Sequence, residues 1–446
     1  MEKTLKTRPA LDLGPPMLSL LLLVIGLHGF AIFASQADFI SILGFGFLSF
    51  FAYGRILRTG DIFSKSLIYG VVSILSLSLC FYVPSLSDDY FRFLWDGHVS
   101  NLGLSPYSMT PTALTVHSSY MTELFPNLNS PDYFSPYPLI NQGIFQIADA
   151  MGETIYFKLL WMRVIFLLIH LAGLFAVGEI LVDCKLPKSH MIIYYLNPLV
   201  LIEGLINLHA EILAASFLAW AILGLLRSKL WQLILFYGLS TATKLNPLLL
   251  FPSLFVSVRP QKRSWFFIFC GIWILILLGP MLWEFQQVGQ SLTLYVKKFE
   301  FNAGPYYFIR WLWMGLSGYN PINVLGPLLA SVAAILILWR SLIKVNSGPK
   351  EVLDGMGWLF LIYLVGSTTV HPWYIIPLIF FWGLTGRISI VVWSCLIFVS
   401  YSHYWGERAG ESYGFIFLEW IVFGVLLLVE VSKNNTSIEK NFGKVN

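Results

Sequence analysis

Residues 87–97 read Ser-Asp-Asp-Tyr-Phe-Arg-Phe-Leu-Trp-Asp-Gly and gather three carboxylates, Asp88, Asp89 and Asp96, around one cation, Arg92. Two adjacent aspartates repel, and partial burial raises the pKa of one of them. A carboxylate tuned in that way can take the proton of a hydroxyl as a general base. The same residues suit a structural task. Ser87 or Asp88 can accept bonds from the free amides of a following helix, and one aspartate can cap while the other reacts. Arg92 can neutralise an anionic ligand or pair with Asp88, Asp89 or Asp96. Asp96, next to Gly97, reads as structural. Tyr90, Phe91, Phe93 and Trp95 suit a loop held against a membrane interface.

Other polar residues are scattered through an apolar chain. Ionisable groups at membrane depth are costly and tend to mark function. His209 and Glu211, one residue apart, can bind a ligand or hydrogen-bond each other at a helix start. Glu203 reads as internally paired. Lys244 needs an anionic partner, for which a lipid phosphate and Glu203 serve equally. Asn302 follows Phe299-Glu300-Phe301. His371-Pro372-Trp373-Tyr374 reads as an interfacial aromatic turn or as a contact to phosphate or sugar. Glu407, Arg408 and Glu411 read as a solvated loop. The spacing of these residues forms no metal cluster. Cys80, Cys184, Cys270 and Cys395 lie far apart beside apolar runs and read as small buried hydrophobes.

The elements that must position these residues are set by lipid. Of 446 residues, 57% are hydrophobic, 16% aromatic and only 12% charged, with a mean hydropathy of +0.72. A soluble domain carries about 25% charge. The expected fold is all-α: a polytopic membrane bundle of about 12–14 transmembrane or half-spanning helices. Candidate spans are 16–35, 38–54, 66–84, 158–182, 190–206, 208–226, 264–284, 321–340, 355–370, 373–386, 388–404 and 413–432. The basic start and the apolar run after it resemble a signal peptide, but the run is too long for a typical one. The net charge of +4 is spread over many loops, which argues against a nucleic-acid surface.

The stretch 231–258 is flanked by Arg227/Lys229 and by Arg259/Lys262/Arg263, and Lys244-Leu245-Asn246-Pro247 interrupts it. Proline cannot continue a helical ladder, so a hairpin of two short helices is expected. With that hairpin and a cytoplasmic N-terminus (Lys3, Lys6, Arg8), 20 of the 28 Lys and Arg fall on the cytoplasmic side. The C-terminus is then cytoplasmic too, and 433–446 reads as a polar, disordered tail. Two large segments fall outside. The first, 85–157, has seven carboxylates against one arginine and reads as an ordered loop with short helices. The second is 286–320. The remainder, 1–432, reads as one integral-membrane domain.

Asp88-Asp89-Tyr90, Arg92, Trp95-Asp96-Gly97 and Gly103-Leu104-Ser105-Pro106-Tyr107 resemble the first outer loop of bacterial GT-C glycosyltransferases. The resemblance continues in order through Tyr137-Pro138, Asn141-Gln142, Asn197-Pro198-Leu199, Asn207-Leu208-His209-Ala210-Glu211, Lys244-Leu245-Asn246-Pro247-Leu248, Phe299-Glu300-Phe301-Asn302 and His371-Pro372-Trp373-Tyr374. It implies an inner-membrane, multi-pass, mannosyltransferase-like enzyme. Such an enzyme moves a hexose from a polyprenyl-phosphate donor to a glycan, lipid or protein acceptor of the envelope. It works at the extracytoplasmic face, with inversion and without a cofactor.

The resemblance also implies residue roles. The base falls on Asp88 or Asp89. Donor and substrate contacts fall on Arg92, His209, Glu211, Lys244, Asn302, His371 and Tyr374. The sequence departs from the family where Leu139 follows Tyr137-Pro138, a site often holding a second proline. It departs again where His209-Ala210-Glu211 replaces a frequent His-Asn-Asp. A lipid flippase or secondary transporter is the competing class. It would place charges at the bilayer midplane within a repeated architecture, and the sequence shows no clear internal repeat.

Overall fold

The computed structural model describes residues 14–114, 118–343, 348–406 and 410–442. Lys3, Lys6, Arg8, Lys344, Glu407, Arg408 and Lys444 lie outside the described residues. The described residues form helices and no strand, with one isolated bridge between Phe301 and Thr369. The protein is an all-α, multi-pass membrane bundle.

The chain begins with two helices packed on each other, α1 (Gly14–Phe33) and α2 (Phe39–Thr59), followed by α3 (Lys65–Leu79). The acidic segment then folds into α4 (Asp89–Asn101), α5 (Ser119–Leu124) and α6 (Leu139–Met151), an ordered loop with short helices as expected. α4 lies directly on α6. A Cβ on Gly97 would meet the Phe145 carbonyl oxygen at 2.4 Å, so this close approach requires glycine. Next come the long α7 (Ile155–Asp183), the short α8 (His190–Tyr195) and α9 (Pro198–Leu201), and then α10 (Glu211–Leu226).

The interrupted stretch forms α11 (Leu230–Thr241) and a 3-10 turn at Asn246–Leu250 that runs into α12 (Phe251–Ser257). These are the two short helices that Pro247 implies. The chain continues through α13 (Arg263–Trp283), α14 (Phe285–Lys297), α15 (Gly304–Ser317), α16 (Ile322–Ile343) and α17 (Pro349–Val365). A 3-10 turn at Pro372–Ile375 opens α18 (Ile376–Thr385). α19 (Ser389–Leu396) ends in a 3-10 stretch, Ile397–Tyr404, and α20 spans Tyr413–Phe442.

By length and composition, six helices among the described residues can cross a membrane: Pro16–Phe33, Phe39–Ile62, Ile155–Asp183, Pro260–Trp283, Ile322–Ile343 and Tyr413–Lys433. The outer helices point Ile40, Phe47, Ile74, Leu275 and Ile335 outward. α18 is instead buried at every residue and forms the centre of the bundle. α20 continues past Lys433 to Phe442, where a disordered tail was expected. Residues 425–442 contain no glycine or proline, so nothing stops a helix already nucleated in the bundle.

The feature that positions the site is a broken span. The stretch 190–206 does not form one helix. Pro198 starts a new helix, and the Asn197 side chain accepts from the Leu199 amide. The chain then loosens into a π-turn at Ile202–Ile206, reverses at Leu208 (φ 62°) and re-enters as α10 at an angle of 111°. A break of this kind frees carbonyls that lipid cannot satisfy. Arg163 on α7 is 1% exposed and supplies the donors. Its Nε donates to the Leu205 oxygen at 3.3 Å and its Nη2 to the Ile206 oxygen at 2.8 Å. We expect Arg163→Met to lower stability in detergent by about 1–3 kcal/mol per orphaned carbonyl. Thermal unfolding at matched detergent concentration checks this, and a variant as stable as the parent would contradict it.

Candidate active site

The site forms where the acidic loop meets the broken span. Asp88 occupies the N-cap of α4, but its side chain makes no capping bond and is exposed. Ser87 Oγ takes a backbone bond instead, from the Asp89 amide at 3.3 Å. Asp89 is partly buried, and its Oδ1 accepts from Asn129 Nδ2 at 2.8 Å. Burial raises the Asp89 carboxyl above the usual carboxylate range. The Asn129 bond and the nearby charge of Lys244 partly oppose that rise, and Asp88 adds to it. The pair therefore divides into an exposed and an enclosed carboxylate.

Asp89 lines a cavity of about 10 Å³ together with Asn141, His209 and Lys244. That is about the room one water needs. Several buried polar atoms in this region have no partner among the described residues. They are Asn141 Oδ1, Asn246 Oδ1 and Glu211 Oε2. Asn141 itself is fixed by its Nδ2, which donates to the Thr243 oxygen at 2.8 Å. Unpaired acceptors in a low-dielectric setting are costly unless a ligand meets them.

Lys244 Nζ pairs with Glu211 Oε1 at 2.9 Å. The sequence left Glu203 or a lipid phosphate as its partner, and proposed a bond between His209 and Glu211. The structure forms neither of these protein pairs. Glu203 sits in the π-turn, where it accepts from the Tyr401 hydroxyl at 2.7 Å and from Asn207 Nδ2 at 3.4 Å, with His209 Nε2 at 3.5 Å. It is internally paired, as expected. The 111° turn carries Glu211 onto α10 toward Lys244, which residue spacing alone does not reveal.

Lys244 and Glu211 also line a much larger cavity of about 590 Å³. Its walls are apolar: Leu248, Leu249, Ala330, Ala333, Ile337 and Leu338, from the Asn246–Leu250 turn and α16. Tyr374 lines it too. Lys244 thus borders both the small cavity beside Asp89 and the large, mainly apolar one, and Glu211 borders the second.

Stacked rings form one flank. His209 lies 3.6 Å from Trp373, Trp373 lies 4.4 Å from His371, and His371 lies 4.5 Å from Phe301, centroid to centroid. Trp373 therefore joins His209 to His371, two residues far apart in sequence.

Arg92 and Asn302 are committed elsewhere. Arg92 is buried. Its Nε donates to Asp96 Oδ1 at 2.7 Å and its Nη1 to the Ser130 and Tyr133 oxygens. Asp96 also accepts from Ser135 Oγ at 2.5 Å and Gln142 Nε2 at 3.1 Å. Arg92 and Asp96 thereby lock α4 to the 130–135 loop and to α6. Asn302 adopts φ 49° and donates from its amide to Glu411 and from Nδ2 to Glu419. Trp420 Nε1 donates to its carbonyl at 3.0 Å. Glu411 is thus partly enclosed, not a freely solvated side chain.

Sequence reasoning missed Asn129, which sits on an irregular loop, and it had Trp373 in view within a motif but not its stacking on His209 and His371. Asn141 was in view within a motif, but nothing in the sequence showed its free oxygen. No group of three or more His, Cys, Asp or Glu that could hold a metal ion occurs among the described residues.

The fold and site define a multi-pass membrane protein in which Lys244 borders both a small cavity beside Asp89 and a large, mainly apolar one. Residues 20–259 match the MptA_B family, described as Alpha-(1->6)-mannopyranosyltransferase, N-terminal domain. The match covers more than half of the chain, and the protein belongs to this family of mannosyl-transferring glycosyltransferases. No curated protein and no solved structure matches the chain. The matched region holds Asp88, Asp89, His209, Glu211 and Lys244, whereas His371, Trp373 and Tyr374 lie beyond it.

The Lys244–Glu211 pair yields a stability test. Lys244→Met leaves the buried Glu211 carboxylate without its cation and should cost about 3 kcal/mol. Adding Glu211→Gln should recover most of that loss. Equal stability of the single and double variants in thermal unfolding would show that the pair is not coupled.

Proposed function

We propose that the protein transfers mannose from a polyprenyl-phosphate donor to an envelope glycan, lipid or protein acceptor at the outer face of the inner membrane. The supporting observation is the position of Lys244. It lines both the small cavity with Asp89 and the large apolar cavity. A lipid-linked sugar needs three things close together: apolar space for the tail, a cation for the phosphate and a base beside the sugar.

In this reading, Asp89 takes the proton of the acceptor hydroxyl. The hydroxyl oxygen attacks the anomeric carbon, and the bond from that carbon to the phosphate oxygen breaks. Polyprenyl phosphate leaves with the electron pair, its new charge facing Lys244. Attack opposite the leaving group inverts the anomeric centre. Asp89 is preferred to Asp88 because it is the enclosed member of the pair. Tyr374 lines the tail cavity, and the His209–Trp373–His371 stack flanks the sugar site. Arg92 and Asn302 support the loops that carry these groups. The architecture this function implies is that of the GT-C enzymes.

Transfer from polyprenyl-phosphate mannose in reconstituted vesicles tests the assignment. Asp89→Asn should lower the rate roughly 10²–10⁴-fold, while Asp88→Asn stays within a few-fold of the parent. Full activity of Asp89→Asn sinks the base assignment. The base must be ionised, and burial raises its pKa. The parent rate should therefore fall as pH drops through a value above the ordinary carboxylate pKa of about 4. The residual rate of Asp89→Asn should show no such limb.

The orientation is tested by cysteine labelling of intact cells. Impermeant reagent should modify a cysteine at Thr112 and spare one at Lys188. The reverse pattern would put the proposed site on the cytoplasmic side.

A further inference from the structure

We infer that Asn207 is a positioning residue, which holds the Asp88–Asp89 loop at the break in the span. This inference rests on the reading of Asp89 as the base.

The bonds are specific. Asn207 is 1% exposed. Its Oδ1 accepts from two consecutive amides, Ser85 and Leu86, each at 3.2 Å. These amides stand just ahead of the Asp pair. Its Nδ2 donates to Glu203 Oε2 at 3.4 Å, which fixes the plane of the amide so that Oδ1 faces the loop. Its own amide donates to the Ile202 oxygen at 2.9 Å, which closes the π-turn.

Glu203 is the anchor behind it. The carboxylate is fully buried and receives the Tyr401 hydroxyl at 2.7 Å. Its Oε2 also lies 3.5 Å from His209 Nε2, and its backbone oxygen accepts from the His209 amide at 3.0 Å. Residue 203 therefore steadies the loop that bears Asp89 through its carboxylate, and the backbone of His209 through its carbonyl oxygen. The Ser85 carbonyl is held as well, by the Gln36 amide at 3.0 Å, so residue 85 is gripped from two sides. π-turns inside helical segments occur frequently at functional sites. Here the turn supplies the extra residue that aims Asn207 across to the loop.

Asn207 does not line either cavity of the site. Its contribution must pass through Asp89. A base displaced by about 1 Å can lose on the order of 10²-fold in rate, while donor affinity, set by Lys244 and the apolar walls, stays the same.

The test combines hydrogen exchange with kinetics on the full-length protein in nanodiscs. In Asn207→Ala, the Ser85 and Leu86 amides should lose protection. Transfer from polyprenyl-phosphate mannose should fall roughly 10- to 100-fold in kcat, with donor affinity unchanged. Asn207→Asp combined with Glu203→Gln keeps an acceptor oxygen for both amides and reverses the donor and acceptor at the 207–203 contact, so it should restore protection and most of the rate. Tyr401→Phe removes only the hydroxyl donated to Glu203. It serves as the mild variant should Asn207→Ala fail to fold, and should deprotect the same two amides to a smaller extent.

Unchanged exchange at Ser85 and Leu86 in every variant that folds would overturn the inference. So would deprotection with full kcat, or a loss carried wholly by donor affinity. Failure of the base assignment is read separately, from a fully active Asp89→Asn, because the exchange measurement reports the Asn207 contact without any turnover.

Discussion

A helix that breaks inside an apolar bundle releases backbone groups that lipid cannot satisfy, each at a cost of several kcal/mol. This protein breaks a span between Ile206 and Glu211, and the rest of the site is arranged around what that break exposes. Arg163 takes up the Leu205 and Ile206 carbonyls. Asn207 turns outward to the acidic loop, and His209 turns onto Trp373. Glu211 opens the next helix and faces Lys244. Three polar side chains of one short segment thus reach three different partners, which a continuous helix, repeating every 3.6 residues, would not allow.

A second polar frame holds the other half of the site. Arg92 and Asp96 tie α4 to α6 and to the 130–135 loop, so the helix that starts at Asp89 cannot rotate freely. Asn302, Glu411, Glu419 and Trp420 do the same for Phe301, and through Phe301 for His371. Between these frames lie the groups proposed to do chemistry, Asp89 and Lys244, and the orphaned acceptors beside them. Rigid support around a small set of unsatisfied polar atoms is what a preorganised site requires. The apolar cavity beyond Lys244 adds room for a lipid tail.

Much of the fold was legible because lipid simplifies it. Composition gave the membrane class, and Pro247 marked the interruption between Thr241 and Phe251. The ordered acidic segment was visible in its turn-rich, carboxylate-rich composition. Other parts were hidden for definite reasons. The candidate spans placed a boundary at residue 207, where the chain does turn, but periodicity cannot show the break at Asn197-Pro198 or the 111° angle, because apolar residues run on either side. Lys244 was seen to need an anion, but Glu211 comes within reach only through the 111° turn. Arg92 was balanced between ligand and salt bridge in the sequence, and the structure commits it to Asp96, Ser130 and Tyr133. The stacking of His209 and His371 on Trp373 depends on the tertiary fold alone.

The central claim is that Lys244 stands at the junction of sugar, phosphate and lipid tail. The structure of the protein with bound polyprenyl-phosphate mannose tests it most directly. The account predicts the phosphate within hydrogen-bond distance of Lys244 Nζ, the mannose beside Asp89, and the prenyl chain between the Asn246–Leu250 turn and α16. A donor bound with its phosphate remote from Lys244, or with its tail outside that cavity, would contradict it.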